Sequence, residues 1–530
     1  MSLLYRITTL GCRVNHAESR EIESVLAARG LERAPAGTTA DLEVVHSCSV
    51  TNTASAKSRA AVRRATRRLA TRSAGRDDRL DGHSLHRAPG LGLSTSAGGR
   101  DESPPPAVIV TGCYASTHPE EAASITGGPG RVVPQTAAAE ASGSMLERLS
   151  RQVDDWLAHR RASHHSPVRE SGGGSSAPSG GPLPLPVIAP VANAGPHVRA
   201  ELRVQDGCDA HCTFCIIPQI RRTLRSKRVD DAVREAAMLV DRGHREIVLT
   251  GIFIGAYGRE TALRRRQRNR HAEPLADLLD AVAGVAGVER VRISSMEPGD
   301  VTAALLDAMV ANAPVVVPHL HLPLQSGSDA ILRRMNRQYT VGQYMEMIER
   351  VESALTTEGL PPAITTDVIC GFPGETGADF AQTVEVASRV GYLHMHVFPY
   401  SPKRGTAAAR WRDVSVPDAV NKARVRRLID LEEDPDDGFA IRFRRRLLGR
   451  TVRVIAEQPD REDPACMTGR CDHYALVHLE PDDRGPVARG RIVRAKIVDV
   501  TAERTVARVV GRDVRLRLAS GHMTEAGRAT

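Results

Sequence analysis

The run GCDAHCTFC places Cys208, Cys212 and Cys215 with three residues between the first pair and two between the second, and sets Phe214 directly before the last. Three thiolates so close together can hold three corners of a cubic iron-sulfur cluster and leave its fourth iron without a protein ligand. An iron with an open position can bind and activate a small molecule. A structural zinc site and a plain electron-transfer cluster are the alternatives. Zinc favours two short Cys pairs or a Cys/His set, however, and no fourth ligand follows nearby.

A second pattern lies upstream, where TTLGC ends at Cys12, VVHSC at Cys48 and VIVTGC at Cys113, each just past a strand-like run. Parallel strands deliver their carboxyl ends to one edge of a sheet, so these three thiols can converge there on a second three-cysteine cluster. Three ordinary buried cysteines at strand ends are the competing reading, and the residues alone leave it open. The remaining cysteines carry less. Cys370 sits inside an apolar strand as a small hydrophobe, and Cys466 and Cys471 with a lone His473 make a poor metal pattern. His164 and His165 fall in a polar stretch and read as solvated.

Positioning such sites takes several domains, and 530 residues suffice for two to four. Nine cysteines clustered in short motifs are no disulfide scaffold and point to metal ligation in a reducing compartment. No apolar run of about 18 residues is present, and MSLLYRITTLGC lacks the marks of a secretion signal, so a cytoplasmic protein away from membranes is expected. The net charge of +9 rests on 67 Arg and 5 Lys. That excess suits a polyanion such as RNA, although base composition of the genome can produce the same bias. Aromatic content of 3% argues against broad base-stacking surfaces.

Strands are expected at 4–10, 42–46 and 107–111, with helices at 16–29 and 54–70, the alternation of a parallel sheet covered by helices. This N-terminal domain is drawn at 1–150, with a disordered insertion at about 71–106, followed by a disordered Gly/Ser/Pro-rich linker at 161–197. From 198 to 437 six further strand-helix units recur, with strands at 200–205, 246–250, 290–294, 319–323, 364–370 and 393–399. Helical stripes such as Val229, Val233, Ala236, Ala237 and Val240 separate them. Six units predict an open, partial TIM-type barrel, whose ligands gather at the carboxyl ends of the strands, where GCDAHCTFC lies. Beyond 438 helical signals vanish and short β-branched runs at 451–456, 474–479, 490–500 and 505–510 predict a small OB-like β-barrel over 438–515. Its entrance carries Arg442, Arg444, Arg445, Arg446 and Arg450, either a solvated helix face or a track for a phosphate backbone.

Together, TLGCRVNHAES, VTGCYA, QDGCDAHCTFCIIP, EIVLTGIFIGAYG, RISSMEP, HLHLPLQSGSD, MNRQYT, ITTDVICGFPGE and HVFPYSPKRGT resemble the methylthiotransferases of the radical S-adenosylmethionine (SAM) superfamily. The resemblance covers nearly the whole chain apart from the two insertions. It implies a 4Fe-4S cluster on Cys208, Cys212 and Cys215 that cleaves SAM to a radical, with Phe214 near the adenine. It also implies a second 4Fe-4S cluster on Cys12, Cys48 and Cys113 where a sulfur is methylated by a separate SAM and transferred. Gly251, Glu297, Gln325 and Gly371 are implied members of the SAM pocket, whereas Glu375 and Ser326 are as well suited to capping helices. The terminal barrel resembles the RNA-holding TRAM domain, and tRNA, an electron donor such as a flavodoxin or ferredoxin, and a sulfur donor are the implied partners.

LTGIFIGAYG, HLHLPLQSGSD and HVFPYSPKRGT resemble the bacterial branch that modifies C2 of N6-threonylcarbamoyladenosine beside the anticodon. The sister branch acting on isopentenyladenosine carries GQN where this chain has Thr250, Gly251 and Ile252. Before its second cysteine the family usually has Asn and Thr or Ser, where this chain has His46 and Ser47. Alternatives are a sister enzyme acting on a ribosomal protein side chain and, in another class, a non-catalytic iron-sulfur RNA-binding redox sensor.

Overall fold

Residues 2–77, 107–135, 144–162, 185, 198–267 and 272–512 are described by the computed structural model of the chain. The chain forms two compact units, Met1–Gly181 and Pro182–Thr530.

In the first unit the strands β1 (Leu3–Thr9), β2 (Leu31–Arg33), β3 (Leu42–Ser47), β4 (Ala107–Gly112) and β5 (Val132–Pro134) form one all-parallel sheet in the order β2-β1-β3-β4-β5. β3 and β4 are buried along their whole length, as strands covered on both faces must be. The expected helices are α1 (Arg13–Ala27) and α2 (Asn52–Asp77), so α2 continues seven residues into the stretch read as an insertion. The rest of that insertion lies outside the described residues. A short helix, α3 (Cys113–Thr117), follows β4 directly. A boundary at residue 150 would cut the helix Met145–Ala162, whose Asp154 accepts from Arg29 at 2.7 Å and ties it to the end of α1. The linker at 161–197 is described only at that helix end and at the buried Leu185.

The second unit opens with β6 (Arg199–Asp206), a short antiparallel β7 (Arg225–Ser226), β8 (Glu246–Gly251) and β9 (Arg290–Ile293), in the order β7-β6-β8-β9. A second sheet holds β10 (His319–His321), β11 (Ala363–Cys370) and β12 (His394–Pro399). One parallel bridge, Val291 to Val316, joins the two. The six expected parallel strands are therefore present in chain order, wrapped into a barrel that stays open between β7 and β12. The helix Val229–Asp241 faces the core with Ala232, Glu235, Ala236 and Leu239, one position round from the stripe read in the sequence. Glu235 can turn inward there because it pairs with the buried Lys227.

The C-terminal block is a closed five-stranded barrel of β13 (Thr451–Pro459), β14 (Met467–Cys471), β15 (Leu476–Glu480), β16 (Ile492–Val500) and β17 (Thr505–Gly511). Two features depart from the expectation. β14 lies between the expected strands, and Phe439–Arg445 is a helix beyond 438, where the sequence shows no helical signal. Cys471 lies in the barrel core and Cys466 donates to Asp463 at 3.2 Å, so neither joins a metal set.

The two barrels share a charged floor. Arg290 and Arg292, both fully buried, donate to Glu246 at 3.0 and 2.8 Å. Arg290 also reaches Arg453 O at 2.9 Å, and Arg292 reaches Cys471 O at 2.6 Å and Asp472 O at 2.9 Å. Burial alone would raise the Glu246 carboxyl, but the Arg292, Arg290 and Arg199 guanidiniums outweigh it and hold it below the usual range. Tyr474, at the tip of the β14–β15 hairpin, stacks on His319 at 4.2 Å and carries the Arg470 guanidinium 4.3 Å above its ring.

Candidate functional site

The register of the first sheet brings its three cysteines together. Thr9 pairs with His46 and His46 with Thr111, while Ser47 pairs with Gly112, so β1, β3 and β4 end side by side. Cys12 precedes α1, Cys48 follows β3 and Cys113 begins α3. Two glycines permit the close approach. A Cβ on Gly11 would stand 2.9 Å from Cys48 Sγ, and one on Gly112 would stand 2.3 Å from Ser47 O. Cys48 and Cys113 are buried and Cys12 is exposed, which leaves the edge open on one side.

Beneath this edge lies a buried polar network. Asn15 donates to Leu10 O at 2.7 Å and Ser47 O at 3.1 Å, holding the first two strand ends together. His46 is fully buried, with Nδ1 2.9 Å from Ser19 Oγ and Nε2 3.2 Å from the Glu18 carboxylate. The residue that departs from the family pattern is thus built into the sheet with its own partners.

The second set sits on the loop after β6. Gly207 has φ +83°, and a Cβ there would lie 2.0 Å from Thr223 O, so only glycine allows this turn. Asp206 fixes the loop base, accepting from Gly207 N at 2.9 Å and Arg221 at 2.8 Å. Asp209 accepts from Ala262 N at 2.7 Å, and Thr213 N donates to Met335 O at 3.1 Å. Asn336, in the left-handed region at φ 58°, donates to His211 O at 2.8 Å.

The thiols here are held in a low-dielectric pocket. Burial pushes Cys208 well up, raises Cys212, and brings the thiol of Cys215 up to about 12; the neighbouring sulfurs raise Cys208 and Cys215 further. Arg337 opposes this. Its guanidinium donates to Cys212 Sγ at 3.2 Å and pairs with Glu297 at 2.7 Å. Glu297 also binds Arg264 at 3.1 Å, so this expected pocket member serves to hold two arginines.

The other expected positions are at strand ends. Phe214 stands edge-on to Phe372, with ring centroids 6.2 Å apart. At Gly251 the space of a Cβ is filled by Gln205, whose Oε1 accepts from Phe253 N at 2.8 Å. Gly371 has φ +70° and donates to Glu375 at 2.8 Å. Glu375 itself pairs with Arg424 at 2.5 Å and caps no helix; Thr376 and Asp379 form the capping box. Ser326 is buried and accepts from Ser328 N at 3.2 Å. Gln325 keeps its Oε1 buried without a hydrogen-bond partner among the described residues. A ligand donor would satisfy that oxygen.

These residues fit an iron-sulfur cluster better than one small ion. The only His/Cys/Asp/Glu set among the described residues with ligand atoms within 4.8 Å of one another is His321, Asp367 and His396. Neither cysteine triad closes to the sulfur spacing of about 3.8 Å that Zn–S bonds of about 2.3 Å dictate. Buried thiols that raise one another need a compensating cationic group between them, which a cluster supplies.

The arginine run is engaged unevenly. Arg442 pairs with Asp437 at 3.7 Å, Arg444 donates to Ala502 O at 2.7 Å, Arg445 to Asp436 O at 2.6 Å and Arg450 to Glu358 O at 3.1 Å. Arg446 is exposed. Sequence reasoning missed Arg337 as a partner of the cluster loop. Its only signal was its place in the quoted MNRQYT.

Comparison with known proteins agrees with this geometry. Residues 202–387 match the radical SAM superfamily, and residues 4–74 match an uncharacterised protein family, UPF0004. The chain is 32% identical over 492 residues to the threonylcarbamoyladenosine tRNA methylthiotransferase MtaB of Bacillus subtilis, covering 92% of both chains. It is 33% identical over 506 residues to the tRNA-2-methylthio-N(6)-dimethylallyladenosine synthase of Mycobacterium ulcerans, covering 95% of this chain and 83% of that one. The enzyme of that name from Thermobifida fusca is 32% identical over 510 residues, with coverage of 96% and 89%.

Proposed function

The chain belongs to the radical SAM tRNA methylthiotransferases, and from that premise we propose that it places a methylthio group on C2 of N6-threonylcarbamoyladenosine in tRNA. The C2 hydrogen of a purine is beyond the reach of any side-chain base. A 4Fe-4S cluster with SAM supplies, when bound, the one-electron chemistry that removing this hydrogen requires. Cys208, Cys212 and Cys215 hold that cluster, Arg337 donates to one of its thiolates, and Phe214, Gly251, Gln325 and Gly371 frame the SAM pocket. We assign the second cluster to Cys12, Cys48 and Cys113, whose convergence at one sheet edge, open at Cys12, is the observation that carries the two-cluster reading.

Identity alone does not separate the two substrate branches, since both kinds of relative match about equally. The wording Thr250-Gly251-Ile252 supports the threonylcarbamoyl branch. So does the inner wall of the partial barrel, where His321 Nε2 lies 3.3 Å from Asp367 and His396 faces both. Such a wall suits a polar, hydrogen-bonding adduct better than an apolar prenyl chain. Nucleoside mass spectrometry of tRNA from cells with and without the gene tests this. Loss of 2-methylthio-threonylcarbamoyladenosine is expected, and loss of the isopentenyl derivative alone would assign the chain to the sister branch.

A further inference from the structure

Beside Gly371, at the carboxyl ends of β11 and β12, a groove of about 830 Å³ is lined by Tyr400, Arg404, Arg410, Trp411, Arg412 and Asn421. It is basic. Three arginines face one carboxylate on its wall, Asp418, and their guanidiniums have no hydrogen-bond or ion-pair partner among the described residues. Most of the arginines at the entrance of the closed barrel, in contrast, are already bound to carbonyls or to Asp437.

The groove is also aromatic, which is uncommon in this chain. Trp411 is one of only two tryptophans. Its ring meets Phe372 edge-on at 6.1 Å and carries the Arg334 guanidinium at 5.1 Å, so its position is fixed by packing. Phe372 is fully buried and also touches Phe214 and Tyr400, at 6.2 and 5.4 Å. Two buried polar atoms on the wall lack hydrogen-bond partners among the described residues: Tyr400 Oη and Asn421 Oδ1, the latter on a residue only 8% exposed. A hydroxyl donor and an amide acceptor without partners, beside an indole and three free guanidiniums, make the complement of a nucleotide: edges to hydrogen-bond, a face to stack, and phosphates to neutralise.

Resting on the tRNA reading above, we propose that this groove binds a nucleotide of the anticodon loop next to the modified base, and that Arg404, Arg410 and Arg412 contact the adjoining phosphates. The site lies outside the arginine run at 442–450 and beside the SAM-pocket position Gly371, so it holds the strand where the target base must leave it.

Binding of a synthetic anticodon stem-loop RNA to the full-length protein, measured across a salt series, tests the proposal. R404Q/R410Q/R412Q is expected to bind at least about tenfold more weakly and to lower the salt slope by about 0.7 for each lost phosphate contact. Trp411→Ala should weaken binding about tenfold and Trp411→Phe far less. In R404Q/R410Q/R412Q and Trp411→Phe, RNA-independent release of 5′-deoxyadenosine from SAM, and the melting temperature, are expected to stay at parental values. Unchanged RNA affinity and salt slope in the triple variant overturn the groove, as does loss of SAM cleavage in both that variant and Trp411→Phe. A parent protein that binds no RNA overturns the tRNA reading itself; a parent that modifies tRNA alongside variants that match it overturns the groove alone.

Discussion

At the scale of single residues, the sulfurs of the second unit are placed where they resist ionisation, and Arg337, with a backbone N–H, offsets part of that penalty at Cys212. A sulfur so placed is a poor exposed nucleophile and a good ligand, because the charge it lacks is supplied only when a cationic group arrives. The two triads are therefore separable by substitution. Cys208→Ala is expected to leave about four of about eight irons after anaerobic reconstitution and to abolish 5′-deoxyadenosine release. Cys48→Ala is expected to leave the same iron count but retain SAM cleavage, while methylthio transfer to tRNA is lost. Iron analysis, with chromatography of the nucleoside products, distinguishes these outcomes; full iron content in Cys48→Ala would refute the second cluster.

At the scale of elements, the hairpin between β14 and β15 carries a pH-sensitive residue. Burial lowers His473 from 6.5 to about 4, and the Asp472 charge only partly offsets it. The unfolded chain therefore binds a proton between those values that the folded chain refuses. Stability is full above about pH 6.5 and falls as pH drops towards 4, by at most about 3 kcal/mol. Denaturant titrations at stepped pH should show this slope in the parent and its loss in His473→Phe. The same region shows where sequence patterns fail. The long parallel strands were legible because their β-branched runs are buried on both faces. β14 was not, since MTGRC has no such run and its Gly469 is there to let Ile455 O approach to within 1.7 Å of where a Cβ would stand. In Phe439–Arg445 the buried residues are Phe439, Ile441 and Phe443, an alternation of period two that imitates a strand while the backbone is helical. The six cysteines announced themselves through spacing and strand ends. Arg337 could not, because it meets Cys212 across 125 residues, and such contacts leave no mark in local pattern.

At the scale of the whole molecule, the two barrels of the second unit are joined by buried charges as well as by apolar contacts, such as those that group Phe443 with Ala363 and Leu393. Two buried guanidiniums share Glu246, and the carbonyls of residues 453, 470, 471 and 472 accept further hydrogen bonds from them. Glu246→Ala leaves both arginines short of compensation and is expected to destabilise the protein by about 3 to 5 kcal/mol, read as a shift in the urea midpoint. A change under about 1 kcal/mol would show that Asp472 alone suffices. The floor also constrains how such chains can be recombined. A chimaera that takes its C-terminal barrel from a relative inherits carbonyls and an aspartate fitted to someone else's arginines. Transplanting the closed barrel of one enzyme onto the partial barrel of another therefore requires moving residues 246, 290 and 292 with it, so the two barrels are inherited here as one piece.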